Sequence, residues 1–276
     1  MQLIDTHSHI DLHSFTHDRK DVLQRCRKNG VVAQILPGVS RDGWENLLRL
    51  CCRETDLFAA PGLHPMYLPS HLPEHLEELR EHIRSGEVVA LGEIGLDFYV
   101  ENLDHKEQQH LFEQQLLLAM EFNLPILIHA RKAHDQVQAA LRRRRFQCGG
   151  IVHAFSGSLQ QAEKYIGLGF KIGFGGTLTY SRATRIRTVA QTLPLEEIVL
   201  ETDAPDIPPA CRHGERNSPE YLPLILDALS QIRPESKAEL AYVTTANAIS
   251  VLRLDTRPDF IAIGEKKDSH LSPNFS

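Results

Sequence analysis

The sequence predicts an α/β protein folded as a single (β/α)8 TIM barrel with extra C-terminal helices. Its length of 276 residues suits one such barrel without a second domain. Short apolar runs alternate with longer segments of helical periodicity, a pattern typical of parallel strands joined by right-handed crossovers. Eight such units close most economically into a barrel. An open doubly wound sheet is the alternative fold.

Eight apolar runs have the length of strands. They cover residues 3–9, 31–37, 57–64, 88–95, 124–129, 150–155, 170–174 and 197–203. Helical periodicity predicts seven helices between these runs and two after the last, at residues 18–28, 41–54, 72–84, 106–122, 133–145, 159–168, 181–192, 219–231 and 235–252. Residues 1–254 therefore form the predicted barrel, and residues 255–276 form a C-terminal tail.

Composition excludes several classes of protein. The net charge of -6 argues against a broad basic face that coats nucleic acid, although it leaves room for a small cationic active site. The five cysteines are odd in number and form no C-x-x-C pair, which indicates neither a zinc ribbon nor a disulfide framework. No apolar run reaches membrane-spanning length, and no secretory signal opens the chain. We expect a cytoplasmic protein with no membrane role and no stable protein partner.

Two histidines stand one residue apart at the end of the first predicted strand. Side chains alternate between the faces of a strand, so His7 and His9 point to the same face and can bind one metal ion together. A histidine-rich N-terminus, or two unrelated polar residues, would give the same pattern. The ends of the other strands decide between these interpretations.

Further ionisable residues end other predicted strands. They are His64, Glu93, His129, His153 and Asp203. Taken alone, each is explained as a buried residue whose hydrogen bonds are satisfied or as one partner of an ion pair. Asp206 is an alternative candidate to Asp203. In a barrel, however, the carboxyl ends of all strands converge on one face, and several ionisable groups are costly to bury there without a partner. Together they predict a metal site at that face.

Six motifs resemble those of TatD-family metal-dependent hydrolases, within the amidohydrolase-like barrel superfamily. In chain order they are Asp5-Thr6-His7-Ser8-His9, Gly62-Leu63-His64-Pro65, Gly92-Glu93-Ile94-Gly95-Leu96-Asp97, His129-Ala130-Arg131, His153-Ala154-Phe155-Ser156-Gly157 and Glu201-Thr202-Asp203-Ala204-Pro205. The resemblance implies a (β/α)8 barrel and a deoxyribonuclease-like hydrolase. It also implies a two-metal centre, with one ion near His7, His9 and Asp203 and the other near His129 and His153.

The chemistry of these residues is consistent with that centre. Four imidazoles and two carboxylates can hold two ions about 3.5–4 Å apart if one carboxylate bridges them, and we assign Glu93 as the bridge. Such ions lower the pKa of bound water to roughly 7, which makes water a nucleophile near neutral pH. Asp203 is the expected proton acceptor, and His64 is expected to donate to the substrate or leaving group. Zinc and manganese suit the imidazoles, and the resemblance also admits magnesium.

Arginines near the predicted barrel mouth indicate an anionic substrate. Arg131 follows His129 by two residues, and Arg212 follows the eighth strand. Relatives commonly have an aromatic residue where this chain has Asp206, whose negative charge disfavours a polyanion unless a metal or Arg212 offsets it. We expect Arg131 and Arg212 to bind substrate, and we interpret the basic run at residues 142–145 as a solvated helix end.

Three functions fit these residues. The first is phosphodiester hydrolysis. Its substrate is either the 3′ end of DNA, as for a 3′-end deoxyribonuclease, or a small diester. The second is hydrolysis of a small cyclic ester or amide, as by a lactonase, which would not need Arg131. The third is a catalytically silent binding protein, which a missing ligand would favour, and none is missing. The glycine run at residues 173–176 either binds phosphate through its amides or only forms a turn.

Overall fold

The computed structural model describes residues 1–256 and residue 260, and it contains eight parallel strands. They are β1 (Leu3–Asp5), β2 (Val31–Pro37), β3 (Leu57–Ala60), β4 (Leu91–Asp97), β5 (Ile126–Arg131), β6 (Gly150–Val152), β7 (Phe170–Phe174) and β8 (Ile198–Leu200). Each overlaps one predicted run. The predicted tail lies outside the described residues except at positions 255, 256 and 260.

Nine α-helices alternate with and follow these strands in the described part of the chain. They are α1 (Arg19–Lys28), α2 (Arg41–Arg53), α3 (Glu74–Arg84), α4 (His105–Glu121), α5 (His134–Arg144), α6 (Leu159–Ile166), α7 (Thr184–Thr192), α8 (Leu222–Ser230) and α9 (Lys237–Leu252). Helix α8 takes the eighth position around the barrel, and α9 is additional. No helix in residues 1–256 is long and apolar enough to cross a membrane.

Local sequence signals start several of these helices. Ser158 accepts a hydrogen bond from the backbone of Gln161, whose side chain bonds back to Ser158, so a reciprocal capping box opens α6. Asp104 caps α4 by accepting from two backbone N–H groups. These contacts satisfy backbone donors that a helix leaves unpaired at its first turn.

Bonds between the ends of the ladders close the sheet into a barrel. Strands β1–β2–β3 and β4–β5–β6–β7–β8 form two ladders. Single bridges join them, between Ala59 and Val88 on one side and between Ser8 and Ala204 on the other. The N–H of Thr6 also donates to the carbonyl of Leu200 at 3.1 Å. The barrel prediction is confirmed, and the open sheet is excluded.

Four predicted strands extend beyond the observed ladders. β1 ends at Asp5, β3 at Ala60, β6 at Val152 and β8 at Leu200, whereas we expected them to run to residues 9, 64, 155 and 203. The segments that follow keep some cross-barrel backbone bonds, such as Asp203 N–H to the carbonyl of His7 at 2.8 Å. The polar residues therefore lie on short irregular segments just beyond the strands.

Two apolar layers hold the barrel together. The larger layer lies between the strands and the surrounding helices. The smaller fills the barrel interior, with Ile4, Ile35 and Leu127 among its members, and it continues into Ala248 and Leu252 of α9. Helix α9 therefore closes the barrel at the end opposite the carboxyl ends of the strands, and the open end is left for the site.

The glycine run at the end of β7 has a packing role. A Cβ on Gly173 would lie 2.4 Å from Oε2 of Glu201, and one on Gly176 would lie 1.9 Å from the carbonyl oxygen of Ile207. Only glycine permits these approaches. The basic run at residues 142–145 lies on the outside of the barrel, where Arg143 and Arg144 pair with Glu113 of α4.

Helix α9 supplies a test of how the lower end of the barrel is held. The buried Asn247 side chain donates to the carbonyls of Leu195 at 2.9 Å and Ile198 at 2.8 Å. Replacing Asn247 by Ala leaves both carbonyls unpaired, so we expect the free energy of unfolding to fall by about 1–3 kcal/mol. Tyr242→Ala, on the same helix but 75% exposed, should change it by less than about 0.5 kcal/mol. Urea unfolding of both variants measures this, and equal stabilities would contradict it.

Candidate metal centre

Glu93, at 3% exposure, lies where the strand ends converge. Its two carboxylate oxygens face different groups of imidazoles. Oε2 is 3.2 Å from Nε2 of His7 and 3.7 Å from Nε2 of His9. Oε1 is 2.8 Å from Nε2 of His153 and 2.9 Å from Nδ1 of His129. The carboxylate thus presents one oxygen to each of two donor groups.

Asp203 completes the side of the centre that contains His7 and His9. Its Oδ1 is 3.6 Å from Nε2 of His7 and 3.7 Å from Nε2 of His9. The residue adopts a φ of 58°, in the left-handed region that a side chain other than glycine rarely occupies. Such strain persists when the surrounding structure demands it and is found at functional sites. Asp206, the rival candidate, lines the same opening but does not approach these imidazoles within salt-bridge distance.

Three overlapping sets of residues could each hold one metal ion, because the donor atoms within each set lie within 4.8 Å of one another. They are His7, His153 and Asp203; His7, His9 and Glu93; and His64, Glu93 and His129. All predicted ligands appear in these sets. Nitrogen and carboxylate donors of this kind suit zinc and manganese, so the residues fit a divalent metal.

Burial and charge set the protonation of these groups. Burial lowers the pKa of His7 well below its ordinary value, with the charge of His153 adding to the effect, and burial also lowers the pKa of His9. Both imidazoles are therefore neutral near pH 7, which is the form that binds metal. Burial raises the pKa of Asp203 well above its ordinary value, and the charge of Glu93 raises it further. A cation in the centre would favour its ionised form.

His64 is a donor toward the centre. Its Nδ1 accepts the backbone N–H of Met66 at 3.1 Å, so the ring hydrogen must lie on Nε2. That Nε2 is 3.1 Å from Oε1 of Glu93. An N–H group cannot ligate a metal, and His64 is therefore positioned to hold Glu93 or to donate to an oxygen of a bound molecule. Donation by His64 to a substrate or leaving group stays a prediction.

Three buried carboxylates lie next to the candidate ligands, and they are not among the site residues predicted from the sequence. Asp97 lies 3.0 Å from Nε2 of His129. Asp5 accepts from the hydroxyl of Thr202 at 2.6 Å and from its backbone N–H at 2.9 Å. Glu201 lies 3.7 Å from Nδ1 of His153. All three stand inside the motifs that contain the predicted ligands, and a search of those motifs for further acidic residues would have found them.

A pocket of about 210 Å³ opens over the centre. Besides the site residues it is lined by Leu12, Val39, Met66, Tyr67 and Asp206. The predicted substrate-binding arginines lie outside this lining. The guanidinium of Arg131 packs 3.7 Å from the ring centroid of Tyr99, and exposed Arg212 lies 3.4 Å from Glu215. Substrate binding by either arginine stays a prediction.

Comparison with known sequences places this chain in a family. A family model described as "TatD related DNase" matches residues 4–253. The chain belongs to the TatD family. It is 40% identical over 255 residues to a protein of Escherichia coli K12 named "Uncharacterized metal-dependent hydrolase YjjV", with 92% of this chain and 98% of that protein covered. It is therefore a metal-dependent hydrolase of that family.

Solved structures agree. The crystal structure of YjjV, described as a TatD homologue from Escherichia coli K12, superposes with a TM-score of 0.87 at 40% identity, covering 90% of this chain and 97% of that one. A TatD-family hydrolase from Entamoeba histolytica superposes with a TM-score of 0.81 at 22% identity, covering 91% and 98%. The second likeness concerns the fold alone. Both superpositions support the barrel assignment over nearly the whole described chain.

Asp97 allows a test of how the TatD centre is held. One of its oxygens accepts the N–H of Tyr99 at 2.9 Å, and the other faces Nε2 of His129. In Asp97→Asn the amide nitrogen must take the second position, which forces the His129 hydrogen onto Nδ1 and removes that nitrogen as a ligand. We expect metal affinity to fall about 10–100-fold.

Competition with a chelator measures this affinity. Glu101→Gln is the matched control, since it makes the same chemical change at an exposed position of the same loop. An unchanged affinity in Asp97→Asn would contradict the orienting role.

Proposed function

We propose that this chain hydrolyses phosphodiesters at DNA ends with two divalent cations, zinc, manganese or magnesium. The observation that carries the proposal is the division of the Glu93 oxygens between two groups of imidazoles. A carboxylate in that position can bridge two ions, and two-metal centres are typical of enzymes that displace an oxygen at phosphorus. The family description supports the same class of substrate.

We assign the ligands of the two proposed sites by the Glu93 oxygen that each group of imidazoles faces. His7, His9 and Asp203 would hold one ion together with Oε2 of Glu93, and His129 and His153 would hold the other together with Oε1. When bound, such ions supply a readily ionised water and neutralise charge that develops on the phosphate. Protein side chains carry out the proton transfer and orient the substrate.

Asp203 is suited to accept the proton of the attacking water. Its side chain is 13% exposed, against 4% for Glu93, so it is the more accessible carboxylate of the two. In the reaction the water oxygen bonds to phosphorus as the bond to the leaving nucleoside oxygen breaks, and that oxygen takes up a proton. His64 lines the pocket with an N–H donor and can orient an oxygen of the substrate.

The role of Asp203 is testable against its neighbour Asp206. Asp203→Asn keeps the size of the side chain but removes the proton acceptor, so at saturating metal kcat should fall roughly 10²–10⁴-fold. Asp206→Asn removes the same charge in the same pocket and should cost much less. Steady-state rates on a chromogenic phosphodiester compare the two. A larger loss in Asp206→Asn would assign the base to Asp206 instead.

Arg131 is the proposed anion contact at the pocket rim. It follows His129 on β5, and within residues 1–256 it forms no salt bridge. A charged hydrogen bond to phosphate is worth roughly 1.5–3 kcal/mol, whereas a neutral lactone or amide would gain little from it. The effect of replacing Arg131 therefore distinguishes a phosphodiesterase from a lactonase.

A substrate panel makes that separation. We expect Arg131→Ala to lower kcat/KM about 10–100-fold on end-labelled single-stranded DNA and on a chromogenic diester, by loss of this contact. Arg142→Ala removes a solvated arginine and is the control. Closed circular DNA should be cut more slowly than ends, because the pocket is small. The proposal would be contradicted if the wild type turned over no diester and if lactone turnover were the same in the wild type and in Arg131→Ala.

The proposed location is the cytoplasm. All five cysteines are unpaired in the structure, and Cys52 and Cys211 are exposed. Free exposed thiols are typical of a reducing compartment. We propose no membrane association and no stable protein partner.

A further inference from the structure

Exposed apolar side chains line the pocket over the centre. Leu12 is 37% exposed, Met66 45% and Tyr67 48%, and all three line the pocket. Tyr99, on the loop after β4, is 50% exposed. A group of large apolar side chains left in water beside a site marks a binding surface. We call Leu12, Met66, Tyr67 and Tyr99 the apolar rim.

Cations lie on this rim. The guanidinium of Arg131 is 3.7 Å and the ammonium of Lys132 is 4.7 Å from the ring centroid of Tyr99. Neither cation forms a salt bridge in the part of the chain that the structure describes, whereas Arg143 and Arg216, on other surfaces, are paired with carboxylates. What sets these two cations apart is that both lie against an exposed aromatic ring on the loop after β4. They suit an anionic partner.

Both tyrosines are connected to the centre. The Tyr67 ring lies 6.0 Å from the His64 ring, and the rings of His64 and His129 are 4.4 Å apart. Tyr99 is tied to His129 through Asp97, which accepts its N–H at 2.9 Å and faces His129 at 3.0 Å. Tyr67 therefore lies in the pocket lining beside the centre, and Tyr99 lies outside that lining on a loop that Asp97 holds next to His129.

We propose that the apolar rim is a stacking surface for the two terminal bases of a single-stranded nucleic acid. The base at the reacting end packs on Tyr67 beside Met66 and Leu12. The next base packs on Tyr99 in place of the Arg131 guanidinium that covers this ring in the free protein. Arg131 and Lys132 move from the ring to the phosphate between the two bases. Aromatic rings combined with cations are how proteins hold single strands without reading their sequence. This inference rests on the proposed phosphodiesterase activity and adds to it the part of the substrate that is recognised.

The test compares normal oligonucleotides with oligonucleotides that carry two abasic residues at one end. Both 3′-abasic and 5′-abasic versions are used, and the comparison is made at the end that the wild-type metal-loaded enzyme attacks. We expect the wild type to prefer the normal end in kcat/KM by at least about tenfold, the scale of one lost stacking contact. Tyr67→Ala and Tyr99→Ala should each reduce this preference, mainly through KM, whereas Tyr67→Phe and Tyr99→Phe should retain it. Tyr242→Ala, on α9 at the far end of the barrel, is the control.

The outcomes separate the two proposals. Cleavage of normal and abasic ends at equal kcat/KM, or an undiminished preference in both alanine variants, would overturn the stacking surface while the phosphodiesterase activity stands. No cleavage of any diester by the wild type at any metal loading would overturn the proposed function and this inference with it. Equal loss of preference in the phenylalanine and alanine variants would exclude stacking, because phenylalanine keeps the ring.

Discussion

The buried carboxylate of Glu93 is the constraint on which the rest of the site depends. A charge at 3% exposure costs several kcal/mol unless other groups compensate it. Burial by itself raises the pKa of Glu93, but the surrounding imidazoles, His153 foremost, outweigh burial and lower that pKa well below its ordinary value. The imidazoles come from β5 and from the segments after β1, β3 and β6. Only a closed barrel brings all of these strand ends to one point.

Closure of the barrel and assembly of the site use the same contacts. Asp5, at the end of β1, accepts two hydrogen bonds from Thr202, just beyond β8. The backbone of Asp203 donates to the carbonyl of His7 across the same seam. The seam between the first and last strands thus aligns His7 with Asp203. A change that loosened it would be expected to disturb the centre before it unfolded the helices around the barrel.

The sequence predicted the fold and the members of the centre because both have strong local signals. Apolar runs and helical periodicity revealed all eight strands, and ionisable residues at the ends of apolar runs revealed His7, Glu93 and Asp203 among others. Strand ends were less accurate, because the backbone leaves the ladder where polar side chains converge.

Tertiary contacts decided what the sequence could not predict. Nothing in the sequence says that Nδ1 of His64 accepts the N–H of Met66, and this bond alone makes His64 a donor. The packing of Arg131 on Tyr99 likewise depends on how the end of β5 meets the loop after β4. Asp97 is the last residue of the motif that contains Glu93, but its 3.0 Å contact with Nε2 of His129 is made across the sheet. Pairings across loops have no periodicity from which to predict them.

The most direct test of the account is the number of metal ions that the folded chain binds. Protein stripped with a chelator, reloaded with zinc or manganese and freed of excess metal should contain two ions per chain by elemental analysis. Glu93→Gln should weaken binding at both sites together, because one side chain faces both groups of imidazoles. Saturation of the wild type at one ion, or a Glu93→Gln variant that keeps both ions at unchanged affinity, would contradict the bridging carboxylate.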